Sequence, residues 1–154
     1  MTMDIILWRH AEAEDAPFGG SDAARALTPR GHKQAAKMAA WLRDRLPGDR
    51  RILASPAVRT QQTVAALELP YTTAKALAVR TAPELVLAEA GWPRAGGTVL
   101  IVGHQPTLGR VATMLLFNQD SDWSIKKGAI VWVSARTDGG RGCVLRAALT
   151  PDLL

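Results

Sequence analysis

The chain has 154 residues, 47% of them apolar and 21% charged, with a net charge of +5. That is the length of one ordinary domain with a real core, and the composition excludes a disordered chain. No apolar run approaches the ~20 residues that span a bilayer, and the lone Cys143 excludes a disulfide framework or a cysteine-based zinc site.

A cytoplasmic protein without membrane association is therefore expected. Cys143, in Cys143-Val144-Leu145, reads as a small buried side chain rather than a nucleophile. The start Met1-Thr2-Met3-Asp4 lacks a basic segment, and the apolar stretch from Ile5 to Trp8 is too short for a signal peptide. Arginine and lysine are spread along the chain instead of forming a tract, with no aromatic–basic interleaving of the RNA-binding kind. No nucleic-acid partner is expected, while a positive field suits phosphorylated ones.

In chain order, Asp4 to Trp8 reads as a buried strand, followed by a polar loop from Glu12 to about Leu27. Thr28 as N-cap and Pro29 at the first helical position open a helix. It runs to about Leu46 with Ala35, Ala39, Leu42 and Leu46 on one face, and Pro47-Gly48 stops it. A strand at Arg51–Ala54 leads into Ser55-Pro56, read as N-cap and first turn of a helix to about Leu67. From Tyr71 to Glu89 the pattern is ambiguous, with a short strand near Ala76–Val79 and a helix from Pro83 as the best reading. A strand at Thr98–Val102 precedes a helix over Pro106–Phe117, and strands near Ile130–Ala135 and Cys143–Leu149 flank the turn Asp138-Gly139-Gly140. Trp123 and Trp132 are assigned to the core by default. Strand–helix alternation with apolar strands predicts a three-layer α/β/α sandwich with a mostly parallel, mixed central sheet.

Ligands of such sheets bind outside the carboxyl ends of the strands. There the first strand ends in Arg9-His10, the second leads through Ser55 to Arg59, and the third ends in Gly103-His104. Each residue alone has a bland reading: a hydrogen-bonded structural histidine, a solvated helix arginine. A guanidinium beside a core strand is costly without an anion or carboxylate partner, however, and four such groups at one edge are poorly explained as separate accidents. His32, early in an amphipathic helix, reads as surface. Arginine forks suit phosphate oxygens, a neutral imidazole is a competent nucleophile, and a second imidazole, when protonated, adds a donor to developing charge. The cations come from side chains, so no metal or cofactor is expected. The three dispersed histidines carry no H-E-x-x-H pattern, and no G-x-G-x-x-G or Walker loop follows a strand.

The string Arg9-His10-Ala11-Glu12 resembles the opening motif of the histidine phosphatase superfamily, the phosphoglycerate mutase-like phosphatases. The likeness continues through Leu27-Thr28-Pro29-Arg30-Gly31, through Ser55-Pro56-Ala57-Val58-Arg59-Thr60-Gln61-Gln62-Thr63, and through Val102-Gly103-His104. The short length and the Arg-His-Ala-Glu-Ala opening look most like the SixA-type phosphohistidine phosphatases. The resemblance implies a phosphoglycerate mutase-like fold over a single domain, 1–154. It implies His10 as phosphoryl acceptor, with Arg9, Arg59 and His104 forming the phosphate pocket. Ala11 departs from the family's usual glycine. Many relatives use an acid to protonate the leaving oxygen, and Glu84 in Pro83-Glu84-Leu85 is the local match for it. Glu84 reads equally well as a solvated helix N-terminal residue favoured by the dipole, and Glu12, also near in sequence, as an arginine partner.

An uncertain acid suits a phosphoramidate better than an ester, because imidazolium has a pKa near ~6.5 and imidazole leaves easily. Short loops, with Glu14–Arg25 as the main rim, suit a phosphorylated side chain on another protein. The expectation is a monomeric phosphatase acting on phosphohistidine of a protein partner. The alternatives are a small-molecule phosphomonoesterase and a non-catalytic phosphate-binding module.

Overall fold

The computed structural model of the protein describes residues 1–140 and 142–154. Its elements are β1 (Thr2–Arg9), α1 (Pro29–Arg43), β2 (Arg50–Ala54), α2 (Val58–Ala65), β3 (Thr72–Thr73), α3 (Pro83–Ala90), β4 (Gly97–Gly103), α4 (Thr107–Phe117), β5 (Ile130–Arg136) and β6 (Cys143–Leu149). The strands form one sheet in the order β3-β2-β4-β1-β5-β6. The first four strands pair in parallel, and β5 and β6 add an antiparallel side.

β1 lies in the middle of the sheet and is apolar on both faces, which is why its run does not alternate. Met3, Ile5 and Leu7 pack with Val86, Leu108 and Val111 of α3 and α4. Ile6 and Trp8 point the other way, onto Met38, Leu42 and Val64 of α1 and α2. Two helices thus cover each face, and the expected α/β/α layering is the observed one. At the lower end of the sheet, Trp132 is buried and its Nε1 donates to Asp4 Oδ2 at 2.8 Å, while Arg146 of β6 donates to the same oxygen at 2.6 Å.

α1 begins as its caps dictate: the Thr28 hydroxyl accepts from Gly31 N at 2.9 Å and Pro29 takes the first position. Gly31 is where this helix lies against the chain leaving β1, since a Cβ there would stand 2.0 Å from the Glu12 carbonyl oxygen. The helix ends at Arg43, three residues before Leu46, in a turn in which Arg45 N and Leu46 N both bond the Leu42 carbonyl.

Four local expectations are corrected. α2 starts at Val58 with Ala57 as cap, because the Ser55 hydroxyl is used elsewhere. The strand expected at Ala76–Val79 is replaced by β3 at Thr72–Thr73 and a 3-10 turn over Lys75–Leu77 that buries Leu77. Cys143 is half-buried rather than buried, because β6 is an edge strand. Trp123 is 37% exposed, its ring edge-on to Phe117, and is not core. Among the described residues no helix is long and apolar enough to cross a membrane.

Candidate active site

The parallel strands β1, β2 and β4 run in register, so their carboxyl ends coincide. His10 N donates to the Gly103 carbonyl and Ser55 N to the Val102 carbonyl, both at 3.1 Å. From adjacent strands β1 and β4 the chain leaves to opposite faces, through α1 and α4. This is the topological switch point at which such sheets open a crevice. His10, Arg59 and His104 meet there, only 6%, 3% and 3% exposed, and Arg9 is half-buried beside them.

His10 is locked in one orientation. Its Nδ1 faces the Ala11 carbonyl at 2.8 Å and, since a carbonyl only accepts, Nδ1 carries the proton. The lone pair is left on Nε2, toward which Arg59 Nε donates at 3.3 Å. Burial first, then the neighbouring His104, Arg59 and Arg9, push the His10 pKa down to about 3, against the opposing pull of the Ala11 bond. The imidazole is neutral at pH 7.

The His104 ring lies 5.4 Å from that of His10, centroid to centroid. Its Nε2 and Ser55 Oγ are 2.7 Å apart, and that hydroxyl accepts from Ala57 N at 3.3 Å. The network is best satisfied when Ser55 donates its proton to Nε2, which places the ring proton on Nδ1. Burial first, then Arg59 and Arg9, lower the His104 pKa to about 4, so in the free site this imidazole is neutral. A neutral Nδ1–H still donates. Nδ1 and Arg9 Nε are both buried without a hydrogen-bond partner among the described residues, and leaving such groups unpaired costs about 1–3 kcal/mol each. Both are donors, the kind of group that an anion satisfies.

The string from Ser55 to Thr63 has a contact for nearly every fixed residue. Ser55 holds His104, Arg59 faces His10, Gln62 Oε1 accepts from Leu27 N at 2.7 Å, and Thr63 Oγ1 accepts from Ala11 N at 3.1 Å. Ala11 itself is fully buried, in a space that takes a small side chain.

Sequence reasoning missed Asp22. It stands in a 3-10 turn of the rim loop, and Arg59 donates to its carbonyl at 2.8 Å and its carboxylate at 3.0 Å. The bond from Arg59, above all, holds the Asp22 carboxyl below its usual pKa. The one available signal was the i, i+3 spacing of Asp22 and Arg25, which do pair at 3.2 Å. Glu12 accepts from the Thr28 hydroxyl at 2.7 Å and sits 4.0 Å from Arg30. Glu84 is exposed in the first turn of α3 and bonds none of the four pocket residues.

Two buried imidazoles kept neutral beforehand make folding stability depend on pH. Between about 6.5 and about 4 the unfolded chain takes up protons that the folded one refuses, so stability falls as pH falls through that window. Thermal melts from pH 7 to pH 4 are expected to show a loss on the order of a few kcal/mol. The loss should shrink in His104→Gln, and an unchanged slope would mean that the His104 imidazole is not held neutral.

Two buried neutral histidines beside two guanidinium groups, at the crevice of a doubly wound sheet, define an α/β protein with a pocket for a small oxyanion. The family description "Histidine phosphatase superfamily (branch 1)" matches residues 5–91, more than half of the chain. The chain belongs to that superfamily, and is a phosphatase acting on phosphorylated substrates. The uncharacterized protein Rv1276c of Mycobacterium tuberculosis is 35% identical over 122 residues, 76% of this chain and 75% of that one. A structure from Nakamurella multipartitia assigned as the phosphohistidine phosphatase SixA is 30% identical, with a TM-score of 0.81 over 98% of this chain and 97% of that one. The protein histidine phosphatase SixA complexed with tungstate is 25% identical, with a TM-score of 0.80 over 98% and 99%.

Proposed function

We propose that this phosphatase takes the phosphoryl group onto His10 Nε2, without a metal, and that its substrate is phosphohistidine on a protein. The observation that carries the acceptor role is the bond from His10 Nδ1 to the Ala11 carbonyl, which leaves a buried, neutral Nε2 facing Arg59. In the first step the other ring nitrogen of the substrate's phosphohistidine takes a proton from solvent, the Nε2 lone pair of His10 forms a bond to phosphorus as the substrate's phosphorus–nitrogen bond breaks, and the imidazole departs neutral with the electron pair of that bond. Water then attacks phosphorus, the bond to Nε2 breaks, and inorganic phosphate leaves with His10 neutral again. Arg9, Arg59 and the Nδ1–H of His104 hold the phosphoryl oxygens throughout.

The substrate class follows from the acids. Asp22, bonded to Arg59, is kept ionised and is a poor proton donor at neutral pH. Glu84 is exposed and makes no bond to the pocket residues. A leaving alkoxide needs a strong donor, whereas a leaving imidazole, whose conjugate acid has a pKa near ~6.5, does not. The SixA relatives, named for phosphohistidine, support the same reading.

The test compares a phosphohistidine peptide with p-nitrophenyl phosphate, with and without EDTA. Glu84→Gln is expected to leave turnover of the peptide within about threefold, because no step of the transfer draws on that carboxyl. Efficient monoester hydrolysis beside an untouched phosphohistidine peptide would make the protein a phosphomonoesterase instead.

A further inference from the structure

Although the basic residues are dispersed in sequence, the fold gathers them beside the histidine pocket. A groove of about 660 Å³ is lined by Arg9, Arg30, Lys33, Lys37, Lys126 and Lys127. Its two acids, Glu12 and Asp152, leave a net +4 there, nearly all of the chain's +5. One wall is α1, where positions 30, 33 and 37 fall on a single face of the helix. The other is the connection entering β5. That connection is bonded directly to the end of β1: Gly128 N donates to the carbonyls of Arg9 and His10 at 3.2 and 3.0 Å, and Arg9 Nη1 donates to the Ile125 carbonyl at 2.9 Å. Arg9 therefore belongs to both the pocket and the groove, and its buried Nε has no partner among the described residues.

Lys33, Lys37, Lys126 and Lys127 are exposed and form no ion pair among the described residues, and Lys33 and Lys37 stand at the repulsive i, i+4 spacing. Ammonium groups on flexible stems do not make a fitted pocket for a small anion, as Arg9 and Arg59 can. They suit a large surface that meets them with many carboxylates and is steered toward them. Among the described residues no aromatic side chain lines the groove to stack a base, which disfavours a nucleic acid.

We propose that this groove docks an acidic surface of the phosphorylated protein, next to the phosphohistidine presented to His10. The inference rests on the phosphohistidine reading above and adds that the substrate's carboxylates, close to its modified histidine, are read by α1 and the 125–128 connection.

The test uses two synthetic peptides, each with one histidine phosphorylated by phosphoramidate, flanked by six glutamates in one and six serines in the other. At low salt the acidic peptide is expected to have a kcat/KM at least about tenfold higher, through KM, and the preference should vanish in 0.5 M NaCl, where screening is short-ranged. The variant K33E/K37E/K126E/K127E should lose the preference while keeping its kcat on phosphoramidate itself. Equal use of both peptides by the unaltered protein, or a preference that survives in the variant, overturns the groove while leaving the substrate class intact. Inhibition by a short RNA at concentrations where polyglutamate has no effect would also overturn it, in favour of a nucleic acid. Turnover of neither peptide, beside normal hydrolysis of phosphate monoesters, overturns both readings.

Discussion

His10→Ala is expected to abolish turnover of phosphohistidine, lowering kcat by on the order of 10⁵-fold or more, as loss of a nucleophile does elsewhere. Brief incubation of the unaltered protein with phosphoramidate, an acid-free quench and mass analysis should place an acid-labile, alkali-stable phosphate on His10, at Nε2. The other ring nitrogen is engaged by the Ala11 carbonyl at 2.8 Å. Phosphate found on another residue, or none during measured turnover, would sink the mechanism. The pH profile gives an independent check. With its pKa pushed down to about 3, His10 is a neutral imidazole throughout the neutral and weakly acidic range. An acid limb of kcat/KM near 6.5 from the free enzyme would contradict the buried, neutral nucleophile.

Arg59→Ala and His104→Ala are expected to lower kcat by about 10²- to 10³-fold each, the usual cost of removing a positioned group that stabilises transition-state charge. For Arg59 the geometry adds a reason. Its guanidinium faces the nucleophile with Nε at 3.3 Å while its outer edge is held by Asp22, so the fork is fixed before the phosphoryl group arrives. Arg59→Lys should recover little, because an ammonium cannot reproduce the fork. For His104, Ser55 fixes the tautomer, and the relevant comparison is His104→Gln, which keeps a donor in place of the ring. Effects confined to KM in either alanine variant would reduce these residues to binding groups.

Much of the architecture could be read from the chain because its signals are local or periodic. β1 and β4 are short apolar runs bounded by polar residues, and Thr28-Pro29 is a helix start written in adjacent residues. The four pocket residues were legible for a related reason: each directly follows, or lies within a helical turn or two of, the end of a buried parallel strand. In this fold those ends face one way. The errors share the opposite property. Ser55 looked like a helix cap because its neighbours allow it, yet its hydroxyl bonds a histidine 49 positions away. β3 is two threonines paired with β2, a length at which no periodicity exists. Trp123 is as apolar as Trp132, and only its place in the surface loop after α4 leaves it exposed.

That His10, Arg9, Arg59 and His104 lie at or just past the ends of apolar strands of one parallel sheet, at the same edge, was thus legible in the sequence, because apolar runs and the residues closing them are short-range features; the order of the strands was not. Tertiary structure decided what state those residues are in. Burial together makes both imidazoles neutral, the Ala11 carbonyl selects the nitrogen that is free, and Asp22 crosses from the rim loop to hold Arg59. It also decided where the charge lies. Lysines and arginines scattered over a hundred positions form a single basic groove only when α1 and the 125–128 connection stand side by side, since a field depends on distances through space and not along the chain.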